Sequence, residues 1–540
     1  MITVPTFIEE QIHKHLTLAS NFRTQRNSYF PVFRLAPELL ANIFILGVQD
    51  YYHENDDHLT FRVPSWVNVS YVCHHWRNVA LNCPTLWTYH FTVSLPWTEE
   101  LLVRSRQASL KIRIHFDSRK TCSWWSSLVE KLLSHTERIQ ELRLRVPTSV
   151  LPSVFFLHAP RLQILDIEGD DHEDLHSEWT PTIDEGHIPR LCTLKLNKFP
   201  LLWQSLNLSR ITTFFLCRLP VHYQHDILDF LATLSRMQAL EVLHLDHALA
   251  SARDLLSSGA LDAYSINLPY LTRLLIAAPV STVVAFLSCV DIPSKTEVRL
   301  EIGEDGPSID DFARLPTALA RRFSPSKDSS SFSPAIRSMA VRFPWPTFAL
   351  CASEHDACDV DLSIDSEDED EDNLPPLDCH ISLVLLIEMK PWLMIRDRNM
   401  SIIHNICCAV PFTRSIQTLR VVNPPFEFDF WRQMLPHLRG LWHMILSDSF
   451  MPNMAALLAA DEPVAVTTKK TGDPLSLGPK FVPALEELTL HRMMFISEAG
   501  LLTDAITCKS LRDALSTRKG PKLRLTMIEC NTEAENPLVT

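Results

Sequence analysis

Apolar residues recur at helical spacing in two blocks within the first ninety positions. Leu35 to Val48, LAPELLANIFILGV, places Leu35, Leu39, Leu40, Ile43, Phe44 and Leu46 on one broad face, which predicts an amphipathic helix. Pro37 suits a first helical turn, where its missing N–H has no partner to lose, and Glu38 complements the positive end of the helix dipole. From Trp66 to Ala80, WVNVSYVCHHWRNVA, the set Trp66, Val69, Val72, Cys73, Trp76, Val79 and Ala80 falls at offsets 0, 3, 6, 7, 10, 13 and 14. That continuous stripe predicts a second helix, ended by Cys83-Pro84 and followed by a further aromatic anchor, Trp87. Between the two lies the polar segment Gln49 to Pro64.

Beyond Phe91 the pattern changes to an apolar triplet spaced L-x-x-L-x-L. Its instances are Ile139-Leu142-Leu144, Leu162-Leu165-Ile167, Leu191-Leu194-Leu196, Ile211-Phe214-Leu216, Leu240-Leu243-Leu245, Leu271-Leu274-Ile276, Ile336-Met339-Val341, Ile416-Leu419-Val421 and Leu485-Leu488-Leu490. The first six start 23, 29, 20, 29 and 31 residues apart, in or near the range of repeat arrays. Several follow a Pro-containing loop, as in APRLQIL, IPRLCTL, LPYLTRL and VPALEEL, and each predicts a short buried strand.

The two N-terminal blocks, L-x-P-E-L-L-x-x-I-F and W-V-x-V-x-x-V-C-x-x-W-R-x-V-A-L-x-x-P-x-L-W, resemble the F-box as it occurs in fungal proteins, over Pro31 to about Phe91. The chain departs from the family in carrying Ala36 after the first Leu, with Pro one place later. The resemblance implies docking on a Skp-type adaptor and, through it, a cullin. By that resemblance Leu35, Pro37, Leu39, Leu40, Ile43, Phe44, Val72, Cys73 and Trp76 supply the adaptor surface and its supporting core, undivided between the two roles. The triplets resemble leucine-rich repeats, without the Asn or Cys that normally follows each one. The expected fold class is therefore α/β: residues 1–30 as an extension, a small helical F-box over 31–91, and over 92–540 an irregular leucine-rich-repeat-like solenoid with a parallel sheet. A helical repeat array is the competing architecture.

Composition narrows the function. Of the formal charge of −14, Glu354 to Asp372 contributes 11 acidic residues and no basic one, a self-repelling block that is expected to be a loop insertion over 354–376. Ser324 to Pro334 is a second polar break. No Lys/Arg cluster fits nucleic-acid phosphates, and no apolar stretch approaches the roughly 20 residues that span a membrane; the nearest, Ile381 to Ile387, meets Glu388. Thirteen scattered cysteines without a C-x-x-C pair, and no secretory leader, fit a cytoplasmic or nuclear protein with reduced thiols.

Phosphate loops need clustered glycine, and the 11 glycines form neither G-x-G-x-x-G nor G-x-x-x-x-G-K. His172-Glu173-Asp174-Leu175-His176 reads H-E-x-x-H, the zinc-protease spacing, but sits in the acidic run EGDDHEDLHSEWTPT with no third ligand in view. His74-His75, Cys379-His380 and Cys407-Cys408 lack partners at ligand spacing. The expectation is a non-catalytic subunit of a ubiquitin ligase, without cofactor or metal, that binds a protein substrate. A non-ubiquitin scaffold, or a metalloprotease centred on residues 172–176, are the alternatives.

Overall fold

The computed structural model describes residues 4–54, 64–90, 95–115, 125–145, 158–169, 186–199, 208–219, 224, 226–293, 295–303, 309–323, 336–342, 347–353, 381–388, 404–407, 415–422, 431, 434–447, 484–492, 494–495, 523–528 and 530–532. The protein is mixed α/β, with a helical N-terminal region and mostly parallel strand pairing, and divides into compact units Met1–Thr213 and Phe214–Thr540.

The first unit opens with α1 (Val4–Ser28), a short 3-10 turn (Pro31–Arg34) and α2 (Pro37–Glu54). The continuous second helix expected from Trp66 to Ala80 is broken. Ser65–Tyr71 is a 3-10 helix, Cys73 is fully extended (φ −162, ψ 170), and α3 (His74–Leu81) starts after it. A spacing of three, as in Trp66, Val69 and Val72, fits a 3-10 period as well as an α one, and the β-branched run disfavours the α form. The Cys73 thiol then caps α3, accepting the Trp76 N–H at 3.4 Å. A 3-10 turn (Pro84–Trp87) leads into β1 (Tyr89–His90), α4 (Leu95–Ser105), β2 (Leu110–His115), α5 (Trp125–Leu133), β3 (Ile139–Arg145), β4 (Ile164–Glu168) and β5 (Thr193–Asn197). These strands pair in sequence order and all parallel.

In the second unit, β6 (Thr213–Cys217), which starts on the boundary residue, is followed by α6 (Ile227–Leu234), β7 (Val242–Asp246), α7 (Arg253–Ser258), β8 (Ile266–Asn267) and β9 (Arg273–Pro279). Then come α8 (Val280–Cys289), β10 (Val290–Asp291), β11 (Glu297–Gly303) and α9 (Ile309–Phe323). The remaining strands are β12 (Ser338–Arg342), β13 (Thr347–Ser353), β14 (Ile381–Glu388), β15 (Thr418–Val422), β16 (His443–Ser447), β17 (Glu487–His491), β18 (Met494–Phe495), β19 (Arg524–Ile528) and β20 (Asn531–Thr532). The spatial order is β6-β7-β9-β11-β14-β13-β12-β15-β16-β17-β19. β13 runs antiparallel to both neighbours, a departure from the expected parallel sheet. Only residues 343–346 separate β12 from β13, and a parallel connection needs a dozen or more residues, so the chain turns back on itself.

All nine triplets lie on strands or lead into them, and every one of their 27 side chains is buried. Parallel register stacks their central residues in columns with residues of β2, β16 and β19: Ile112, Leu142, Leu165 and Leu194 in one unit, Met339, Leu419, Met444, Leu488 and Leu525 in the other. The loops before them repeat as well. The N–H of the first triplet residue closes a turn on the carbonyl three residues back, at Ala159, Ile188, Met237 and Leu268, and a Pro follows the first, second and fourth of these, its fixed φ suited to the second place of such a turn. The residue directly after the first triplet position then offers its carbonyl to the next strand. Gln163 receives the N–H groups of Cys192 and Thr193, Glu241 those of Thr272 and Arg273, Gln417 those of Trp442 and His443, and Trp442 those of Glu486 and Glu487. A recurrent backbone feature also closes several strands. Lys198, Arg218, His247 and Arg492 sit in the left-handed region (φ 47 to 54) directly after β5, β6, β7 and β17. The last three donate their N–H to Asp246, Ala277 and Ile528, at or near the end of the neighbouring strand.

Candidate docking face

The nine expected site residues all belong to the described part of the first unit, and the structure divides them. Leu35 closes the turn before α2, its N–H on the Val32 carbonyl at 3.3 Å, and Pro37 takes the first helical position. Ala36 thereby becomes the residue whose carbonyl accepts the first helical N–H, from Leu40 at 3.1 Å, so the one-place displacement of Pro leaves the helix start intact. Seen along α2, the apolar residues form two stripes instead of one broad face. Leu40, Phe44, Val48 and Tyr52 recur every four residues and are buried; Leu39, Ile43 and Leu46, at i, i+4 and i+7, are 54%, 51% and 58% exposed. The helix also runs to Glu54, six residues past the predicted end, because Tyr52 continues the buried stripe.

The buried stripe holds a small aromatic core. The Phe44 ring packs on Trp76 with centroids 5.1 Å apart, and Trp66 packs on Trp87 at 5.5 Å. Trp87 is anchored by its indole N–H on the Ala80 carbonyl (2.8 Å), and the Arg104 guanidinium covers its ring at 4.4 Å. Of the second-block residues, Trp76 is half-buried against this core, Cys73 is spent on capping α3, and Val72 is exposed together with its neighbour Tyr71. Leu39, Ile43 and Val72 are thus surface, with Leu46 and Tyr71 as additions. Leu40, Phe44 and Trp76 are core, while Leu35, Pro37 and Cys73 shape the helix ends. Leu46 was legible from its i+7 spacing; Tyr71 was not, because its exposure follows from the break at Val72 and Cys73.

A polar cluster ties α2 to the sheet. The Tyr52 hydroxyl donates to Glu141 of β3 at 3.2 Å, and Glu141 also accepts from Arg143 Nε at 2.8 Å. Arg113 of β2 lies over the Tyr52 ring at 3.8 Å and donates to the Tyr52 carbonyl at 3.1 Å. Burial, then the Glu141 charge, pushes the Tyr52 hydroxyl well above its ordinary value, so it stays a donor. Arg113 and Glu141 are buried charges, and each is compensated by an opposite charge or a hydrogen bond inside the cluster.

Among the described residues, no group of three or more His, Cys, Asp and Glu side chains is placed to hold a metal ion. The H-E-x-x-H residues 172–176, the acidic block 354–376 and the pair Cys379-His380 lie outside the described residues; His74 and His75 are on α3, and Cys407 is buried. No helix among the described residues is long and apolar enough to cross a membrane, and Ile381 to Ile387 is strand β14. No protein-family model matches the chain, and no curated protein does.

Proposed function

We propose that the chain is the substrate-recognition adaptor of a Skp-cullin-F-box ubiquitin ligase, non-catalytic itself, in which the N-terminal module docks on the Skp-type adaptor. The observation that carries this reading is the division of α2. A helix that already buries one apolar stripe has no intrachain reason to keep Leu39, Ile43 and Leu46 half exposed, and such a surface suits a partner. The repeated strands, read as an irregular leucine-rich-repeat-like solenoid, supply a platform for a protein substrate. Its contribution is proximity: a substrate and a ubiquitin-loaded enzyme on one scaffold meet at high effective concentration without a catalytic residue in this chain.

The test is co-purification with a Skp-type adaptor and a cullin, comparing the wild type with Leu39→Asp/Ile43→Asp. Adaptor and cullin should both be lost from the variant while its circular dichroism is unchanged. Undiminished adaptor binding by the folded variant excludes the assignment. Adaptor without cullin in the wild-type complex favours the scaffold that does not ubiquitinate.

A further inference from the structure

Helix α1 carries apolar surface that the proposed docking leaves unused. Every residue from Thr6 to Ser28 except Gln11 and Asn27 is exposed, including Phe7, Ile8, Ile12, Leu16, Leu18 and Phe22, each at least half exposed. At about 100° per residue these six side chains fall within one half of the helix circumference, which they share with Gln11, His15, Arg23 and Arg26, and Glu10, His13, Thr17, Asn21 and Thr24 fall within the other. A 25-residue helix that leaves six large apolar side chains uncovered on one half draws little stability from packing within its own chain, and those side chains call for a second element.

The charges indicate which element. Glu9 and Arg23 lie at the same edge of the apolar half, 14 residues or about 21 Å apart along the axis. We propose that α1 pairs with α1 of a second copy of this chain, antiparallel and centred on Leu16. Leu16 then meets its symmetry mate, and each Glu9 lies opposite the other copy's Arg23. The pairing is isologous, so one edge carries both halves of the complementarity twice. A parallel pair would set Glu9 and Glu10 level with their own copies, and likewise Arg23 and Arg26, and like charges at one level repel. A membrane surface is the poorer occupant: the polar half carries Glu9 and Glu10 against Lys14, and lacks the basic face that anionic lipid attracts.

The experiment is sedimentation velocity of the full chain across a concentration series, with circular dichroism confirming the fold of each variant. The wild type should show a monomer–dimer equilibrium. Ile12→Asp/Leu16→Asp should raise the dissociation constant at least about 10-fold, since it places charge on the buried seam. Glu9→Arg alone and Arg23→Glu alone should each weaken the dimer, and mixing the two variants should restore it, because each acid then faces a base. A chain monomeric at about 100 µM overturns the proposal, as does monomeric chain that pellets with phosphatidylcholine–phosphatidylserine vesicles. So does a dimer indifferent to the Asp substitutions, or charge variants that show no rescue on mixing.

Discussion

Truncating Phe44 and truncating Ile43 should have opposite consequences, although the two residues are adjacent on α2. Phe44 is 4% exposed and packs on Trp76; Ile43 is 51% exposed. Phe44→Ala removes a buried ring from a small aromatic core, a change of about 3 to 5 kcal/mol. Amide exchange limited by local opening should then accelerate about 100-fold or more across α2 and α3, at about 1.4 kcal/mol per factor of ten. Ile43→Ala combined with Leu39→Ala acts on surface, so folding stability should move by no more than about 0.5 kcal/mol at each site. Burying a Leu or Ile side chain is worth roughly 1.5 to 3 kcal/mol, and about half of each remains to be buried on docking. The pair therefore removes about 1.5 to 3 kcal/mol of binding, a loss of about 10- to 100-fold in adaptor affinity. The assays are hydrogen exchange by mass spectrometry for the first variant and titration calorimetry with the Skp-type adaptor for the second. A double variant that exchanges like wild type and binds like wild type refutes the division of α2 into a core stripe and a docking stripe.

Three further outcomes follow from the same geometry. Glu141→Leu leaves Arg143 without its acidic partner and the Tyr52 hydroxyl without its acceptor and should cost about 3 to 5 kcal/mol, whereas Tyr52→Phe, which removes one hydrogen bond, should cost about 1 kcal/mol; exchange rates of the α2 and β3 amides measure both. Burial, opposed by His247 and Arg218, raises the Asp246 carboxyl above its ordinary 3.8, so between that value and its folded one the native chain holds a proton that the unfolded chain has released. Stability contributed there is complete below the unfolded value and falls as pH rises through the window, and Asp246→Asn should flatten that part of a melting-temperature-against-pH curve. Burial pushes the Cys351 thiol up to about 12, so iodoacetamide at pH 8 should modify it only after denaturation, as read by peptide mass spectrometry; modification in native buffer at the rate of Cys530 would contradict its placement in β13.

The strands were legible because burial there follows a fixed spacing that composition does not disguise. Leu441-Met444-Leu446 has the same spacing and leads into β16, yet it is missing from the nine triplets read from the sequence. β11 hides its entry position more thoroughly: Thr296, buried and closing the turn on the Pro293 carbonyl, stands two residues before Val298 where the triplet spacing requires three, and its hydroxyl donates to the Leu271 carbonyl at 2.6 Å. A polar residue satisfied in this way is indistinguishable in sequence from a surface one. β14 was obscured by the opposite fault, since ISLVLLIE has no alternation where both faces of a strand are covered. On α2 the sequence showed which residues are apolar but not that they form two stripes, because which stripe is covered depends on where the 3-10 helix and α3 pack.

The polar cluster at Tyr52 bears on how a proximity mechanism would operate. A docking helix joined to its platform by a flexible tether would let the substrate explore a wide volume, and effective concentration falls steeply once a linker exceeds the span it must cover. Here the helix that presents Leu39 and Ile43 also carries Tyr52 two turns beyond Phe44, and Tyr52 is clamped between Glu141 of β3 and Arg113 of β2. The proposed docking surface and the first strands therefore belong to one packed body, and β1, paired with β2 directly after Trp87, leaves no free linker between them. The expected signature is specific: Glu141→Leu should leave adaptor affinity within about twofold, because Leu39 and Ile43 remain in place, yet should slow ubiquitin transfer to a bound substrate by loosening the platform. Equal losses in affinity and transfer would show that the cluster serves only to fold α2.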